Sequence, residues 1–368
     1  MRDLIPWAKP VYFGKEKEYV LDAVNSTWIS GGPYVDRLEK DFTAHNGAEH
    51  GLTVSNGTAA LQLVLAALGI GPGDEVIVPA FSFAAAANMV MNLKAVPVYA
   101  DINPDTWCMD PRGLEKLISA RTRAVLPVHT YGNVCDMEQL GDICDKHRLL
   151  LIEDAAEAAF SKYNGKFAGT FGDAGCFSFQ ATKTMTTGEG GFVLASGSEL
   201  HNKLLLLRDH GMNKKRRYWH DAAGYNFRMT NLQAALGCAQ LENIAAILSE
   251  KKRVFRDYQA ELGEEKGIKL QTFTPGADPA VWTAAVMLDD AFFPGGRDAC
   301  IRTLLDKGIE TRPGFYPFSA MPLYKAPRSQ VAESVSAKII CLPSFCGLSK
   351  EDIAYICGCL KGLRGSRA

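Results

Sequence analysis

Short runs of consecutive apolar residues alternate with helix-period stretches through the first two thirds of the chain. Residues 75–79, 96–99, 124–128, 149–152, 174–179 and 191–194 each predict a strand. Runs that are apolar on successive positions suit strands buried on both faces of a helix-covered sheet. Between them, residues 58–68 are apolar nearly all round and predict a buried helix. From 233 to about 260, the spacing of Leu236, Leu241, Ile244 and Leu248 predicts one long helix. Residues 263–279, rich in Gly, Pro and charge, read as an inter-domain passage, and 297–306 as a helix stopped by Gly308. The expected architecture is α/β: a large, mostly parallel sheet domain over residues 1–245 and a smaller α+β domain over 246–368.

Composition narrows the class. With 47% hydrophobic and 22% charged residues the chain is ordinary for a globular protein and unlike a disordered one. Its 40 Lys and Arg against 41 Asp and Glu leave no basic field of the kind that binds nucleic acid. No apolar run reaches the roughly 18–20 residues of a membrane helix. Residues 1–6 lack the apolar stretch and cleavage site of a signal peptide. The ten cysteines contain no CxxC pair and read as small buried hydrophobes in a reducing cytosol. The expectation is a cytoplasmic protein without nucleic-acid, membrane or metal partners.

Three segments carry chemistry. Asp154 closes the run 149–154, which puts it at the carboxyl end of a buried strand, where ligands of open α/β sheets gather. A carboxylate there needs a cation facing it, or it caps a helix; both readings stand. Residues 54–58, Val-Ser-Asn-Gly-Thr, lead straight into a helix. Ser55 or Asn56 caps it, and Gly57 lets a ligand approach free N–H groups, which makes either an anion site or an ordinary capped helix. In the third segment, Lys183 follows the apolar 177–179 and precedes the Gly-rich 188–191. Apolar surroundings lower a lysine's pKa, as a lysine that condenses with a carbonyl requires; a solvated loop lysine is the alternative.

Together these segments meet what pyridoxal phosphate asks of a protein. Lys183 bonds the cofactor and Asp154 pairs with its pyridinium nitrogen. Ser55, Gly57, Thr58 and Ser178 surround its phosphate, and Phe83 stacks on its ring. Competing signatures are missing: there is no GxGxxG after a strand, no GxxxxGK[ST] and no HExxH. The cluster 214–220, Lys-Lys-Arg-Arg-Tyr-Trp-His, is a solvated face or a site for one phosphorylated ligand, a nucleotide diphosphate in scale. His129, at a strand end, stands near the site or is a satisfied core histidine.

The motifs at 55–61, 71–76, 153–156, 188–191 and 224–230 resemble those of fold-type I pyridoxal-phosphate aminotransferases of the DegT/DnrJ/StrS family. The likeness runs from about Pro10 to near the C-terminus. It implies transamination through Lys183 and Asp154, with pyridoxamine phosphate as intermediate. It also implies that Glu157 lies beside the cofactor's 3-hydroxyl. Asn226 would reach the phosphate in the partner subunit, hence a homodimer with shared active sites. Within the family the motifs at 14–20, 26–30, 183–191, 218–221 and 309–313 are most similar to the perosamine-forming branch. That branch moves an amino group from L-glutamate to C4 of GDP-4-keto-6-deoxymannose, a nucleotide-linked keto sugar. Trp28, Arg217, His220 and Arg312 are the expected substrate contacts, Arg312 also reading as a surface ion pair. Residues 315–322 depart from that branch: Ser319 stands about where it has a histidine. Two rival readings are a regulatory protein that binds the cofactor without turnover, and an aminotransferase for another keto sugar nucleotide or a non-nucleotide ketone.

Overall fold

The computed structural model describes residues 3–365. At its centre is a seven-stranded sheet. In spatial order its strands are His50–Val54, Gly191–Ala195, Ala174–Ser178, Leu150–Asp154, Thr122–Val125, Glu75–Pro79 and Val96–Ala100. Six strands are parallel and Gly191–Ala195 runs against them. Both faces are buried: Val76 and Val78 enter one core, whereas Ile77 enters another beneath it. Consecutive apolar residues are therefore needed, which is why six of the seven strands appear where the pattern predicts them. His50–Val54 was not predicted, because it opens on His50 and Gly51.

Register gathers the chemistry at one edge. Asp154 lies opposite Cys176, while Ser178 and Val54 both pair with Gly191. Asp154, Ser178 and the residues following Val54 thus leave the sheet at the same carboxyl end. On the lower face Phe42 is fully buried, with ring centroids 5.3–5.6 Å from Phe160, Phe177 and Phe179 and 4.6 Å from Phe192. Phe42→Ala is expected to cost about 3–5 kcal/mol, read as a fall in urea midpoint.

A second sheet is wholly antiparallel, in the order Ile268–Leu270, Ala284–Leu288, Ile339–Leu342, Arg312–Pro313. It covers a core of its own with helices Ile244–Leu262, Gly296–Asp306 and Lys350–Lys361. The stretch expected as an inter-domain passage therefore contains this sheet's edge strand. The expected division at 245/246 falls in the first turn of Ile244–Leu262, a helix that serves both bodies. Its Ile244 and Ile247 enter the large-sheet core, and Val254, Tyr258 and Leu262 the small one. The N-terminal segment also joins the smaller body, through Ile5 N–H donating to the Gly308 carbonyl at 2.8 Å.

The single long helix expected from 233 to 260 is two, Asn231–Glu242 and Ile244–Leu262. Asn243 Nδ2 donates to the Ala239 carbonyl at 3.0 Å, the acceptor its own N–H would use in a continuous helix. Its N–H turns to Gln240 instead. The side chain thus competes with the backbone and breaks the helix. Among the described residues, no helix is long and apolar enough to cross a membrane.

Candidate active site

The helix Gly57–Ala67 begins where His50–Val54 ends. Asn56, extended, is its cap: its Oδ1 accepts the Ala59 N–H at 2.8 Å. Ser55 N–H donates to the Phe227 carbonyl at 2.8 Å, which ties this corner to the 224–230 segment. A Cβ on Gly57 would lie 2.8 Å from Ser178 Cβ, so only glycine lets the helix start come this close to Ser178. The first-turn N–H groups of Gly57 and Thr58 and the Ser178 hydroxyl thereby share a corner at a helix N-terminus, a geometry that favours anions.

Lys183 sits on the loop from Phe179 to Gly190, which is closed by Phe179 N–H donating to the Gly190 carbonyl at 2.8 Å. Its Nζ is 3.8 Å from Glu157 Oε1 and 3.8 Å from the centroid of the Trp282 ring. Trp282 Nε1 donates to the Thr182 carbonyl at 2.8 Å, pinning the indole to the lysine's own loop. Burial lowers the Lys183 pKa, against the pull of Glu157 and Asp154. The solvated-loop reading is therefore not the one observed.

Two carboxyl groups face this lysine. Burial pushes Glu157 up to about 7, opposed by Lys183 and by the Tyr131 N–H, which donates to Oε2 at 2.8 Å. Burial also raises Asp154, opposed by the Ala156 N–H at 3.1 Å and by Lys183 and His129. Residues 155–161 form turns, so Asp154 caps no helix. The neighbouring carboxylate behaves differently. Glu153 accepts N–H groups of Gly169, Phe171 and Gly172 at 2.7, 2.6 and 3.0 Å and faces His129 Nε2 at 3.0 Å. His129 Nδ1 accepts the Cys135 N–H at 3.2 Å, which assigns the ring proton to Nε2. Both side chains are fully buried and satisfied, so His129 is the core histidine of the two readings.

The remaining candidates lie outward. Phe83 is 61% exposed and packs 6.1 Å from Phe315, which stacks on Tyr131 at 5.1 Å. Arg312 pairs with Glu310 at 2.6 Å and lies 5.8 Å from the Trp7 ring, which meets Trp282 edge-on at 5.6 Å. The ion pair is thus present, and two indoles connect it to Lys183. His220 Nδ1 faces the His210 carbonyl at 2.9 Å, and Arg217 lies over Tyr218. Trp28 is exposed, its carbonyl accepting from Asn231 Nδ2 at 2.7 Å. Asn226 is exposed and accepts from Arg228 Nε at 3.2 Å. Among the described residues, no hydrogen bond or ion pair joins Trp28, Arg217, His220 or Asn226 to the Lys183 cluster. Ser319 donates to Glu333 Oε1 at 2.7 Å. Trp282 and Tyr131 escaped the sequence reading: neither sits in a motif, and both reach the lysine cluster through contacts that only the tertiary fold makes.

The raised Glu157 pKa has a stability consequence. Its folded value, about 7, lies above the ordinary carboxylate value of 4.5. The native state therefore holds its proton more tightly, and the associated stability is full below about 4.5 and lost as pH rises through about 7. Glu157→Gln is expected to remove that decline. Thermal scans of cofactor-free protein should show the variant more stable than wild type at pH 8, by roughly 1–3 kcal/mol. At pH 4.5 the two should be alike.

The DegT/DnrJ/EryC1/StrS aminotransferase family model matches residues 13–361. The chain belongs to this family. A GDP-perosamine synthase of Vibrio cholerae is 40% identical over 365 residues, 97% of this chain and 98% of that one. One from Escherichia coli O157:H7 is 41% identical over 356 residues, 96% of each. Among solved structures, Spr1654 of Streptococcus pneumoniae, a candidate sugar aminotransferase, superposes in its PLP form with a TM-score of 0.93 at 28% identity. The match covers 98% of both chains, and the PMP form fits equally well. This DegT/DnrJ/EryC1/StrS protein is accordingly a pyridoxal-phosphate-dependent aminotransferase of fold type I, with the large mixed sheet already described.

Proposed function

We propose that the enzyme moves the amino group of L-glutamate to C4 of GDP-4-keto-6-deoxymannose, giving GDP-perosamine. The observation that carries the reading is the buried Lys183–Glu157–Asp154 cluster beside the Gly57–Ser178 corner. The two relatives at 40–41% identity supply the sugar. The residues fit pyridoxal phosphate. Asp154, nine-tenths buried and with one backbone donor, has no cation within ion-pair distance among the described residues, a place a pyridinium nitrogen would fill. The Gly57 approach leaves a cradle that a Cβ would fill.

Within that reading, Ser55, Gly57, Thr58 and Ser178 hold the phosphate, Asp154 the ring nitrogen, Glu157 the 3-hydroxyl and Phe83 the ring face. Pyridoxal phosphate supplies the electron sink for breaking a Cα–H bond. Lys183 Nζ would anchor the group and, as a free amine, would take the proton from the donor's Cα. Its lowered pKa favours the unprotonated amine that this transfer requires. Glu157, pushed to about 7, holds or releases a proton 3.8 Å away at the working pH. The enzyme works as a homodimer in which exposed Asn226 reaches the partner's cofactor phosphate. A cytoplasmic setting suits its ten free cysteines.

Trp28, Arg217, His220 and Arg312 are assigned to the substrate. Arg217→Ala and His220→Ala are expected to raise the KM for the sugar nucleotide about tenfold each, as lost charge-assisted contacts would. The cofactor's visible absorbance should be unchanged; its loss would overturn the assignment. In thermal shift, GDP is expected to protect the enzyme more than UDP or dTDP.

A further inference from the structure

A second lysine is buried near the first. Lys251, on the helix Ile244–Leu262, is 5% exposed, and its Nζ donates to the main-chain oxygens of Trp282 and Ser344, each at 2.7 Å. Among the described residues it has no carboxylate partner within ion-pair distance, which is unusual for a buried cation. It and Lys183 line the same cavity of about 30 Å³, together with Thr184, Gln240 and Cys346. The residue whose carbonyl it clamps is the one whose indole lies under Lys183 Nζ and bonds Thr182.

We propose that Lys251 is a positioning residue for the Lys183 amine, its hold on the Trp282 carbonyl and its buried charge together setting how that amine lies over the ring. The inference rests on Lys183 being the cofactor-binding lysine. The clamp joins the helix Ile244–Leu262 to residues on two strands' approaches, 282 and 344. The charge acts in the same cavity. Lys183 is faced by Glu157 and Asp154, which favour its protonated form; its repulsion with Lys251, which lowers the Lys251 pKa, is mutual and works against that form. Lys251 is faced by Lys183 and by the Cys346 thiol. Lys9 also lines the cavity, its Nζ engaged over Phe345 at 4.9 Å. Burial takes Lys251 to about 8, so at neutral pH it retains its charge.

Competitive acetylation of cofactor-free protein with acetic anhydride, read by peptide mass, measures the basicity of Lys183 without turnover. In Lys251→Met the labelling profile of Lys183 is expected to move to higher pH. Its reactivity at pH 7.5 should fall about tenfold, the change a one-unit rise in pKa produces. Lys251→Arg, which keeps the charge, should label close to wild type. In the loaded enzyme Lys251→Met should slow glutamate conversion about tenfold at saturation while leaving the glutamate KM within twofold. Should the Met variant fail to fold, Lys251→Gln, which keeps one donor, takes its place with the same expected direction. Unchanged Lys183 labelling in the uncharged variant, or an Arg variant that labels like it, overturns the proposal. A wild-type enzyme whose cofactor is not attached to Lys183 would instead refute the reading on which it rests.

Discussion

Lys183→Ala is expected to lower turnover with glutamate by at least about 10³-fold, since it removes the group proposed as both covalent anchor and base. Proximity is the physical reason. The amine lies in a buried pocket, 3.8 Å from Glu157 and over an indole, so no water at bulk concentration replaces it in that geometry. Pyridoxal phosphate should still bind, through the Gly57–Ser178 corner and Asp154, but without its lysine-linked visible band. Denaturing mass spectrometry after borohydride reduction checks this: wild type should keep the cofactor mass on the peptide containing Lys183, and the variant should not. Added methylamine is expected to restore part of the rate by substituting for the missing base.

The second large effect belongs to Asp154. Asp154→Asn keeps the shape and removes the charge. It is expected to lower turnover roughly 10²–10³-fold, a loss of about 3–4 kcal/mol of transition-state stabilisation. Burial raises this carboxyl in the cofactor-free site. A cation beside it reverses that bias, so ring protonation and Asp154 ionisation support each other. In the role proposed for Asp154, an asparagine would not hold the ring nitrogen protonated, and the electron sink would weaken. Stability should respond the other way, because the variant has no buried carboxylate to desolvate. At pH 8 cofactor-free Asp154→Asn should melt no lower than wild type, which separates a chemical defect from a folding one.

Legibility in the sequence followed the physics of each element. Strands buried on both faces announce themselves as unbroken apolar runs, so Glu75–Pro79 and its neighbours were readable. The edge strand His50–Val54 was not, because three of its five residues are polar or glycine. The break at Asn243 depended on one side chain capturing the Ala239 carbonyl, which periodicity does not encode. The place of Ile5 in the smaller core depended on contacts some 300 residues away in sequence.

The site divided in the same way. Gly57, Asp154 and Lys183 stand at chain punctuation, where a strand ends or a loop turns, and each has a recognisable reason to be there. Trp282 and Tyr131 act through tertiary contacts, the Trp282 indole bonding the Thr182 carbonyl and the Tyr131 N–H bonding Glu157. Lys251 lies in the charged run Ser249-Glu250-Lys251-Lys252-Arg253, which carries no motif. Only the fold shows that one of those cations turns inward.

The most direct measurement is product formation from glutamate and a panel of 4-keto-6-deoxy sugars carried on GDP, UDP and dTDP, followed by mass spectrometry. The account predicts an amino sugar from GDP-4-keto-6-deoxymannose, with kcat/KM at least about tenfold above the other nucleotides, and none from Lys183→Ala. Preferred turnover of a UDP- or dTDP-linked sugar, or of a ketone without a nucleotide, would contradict it.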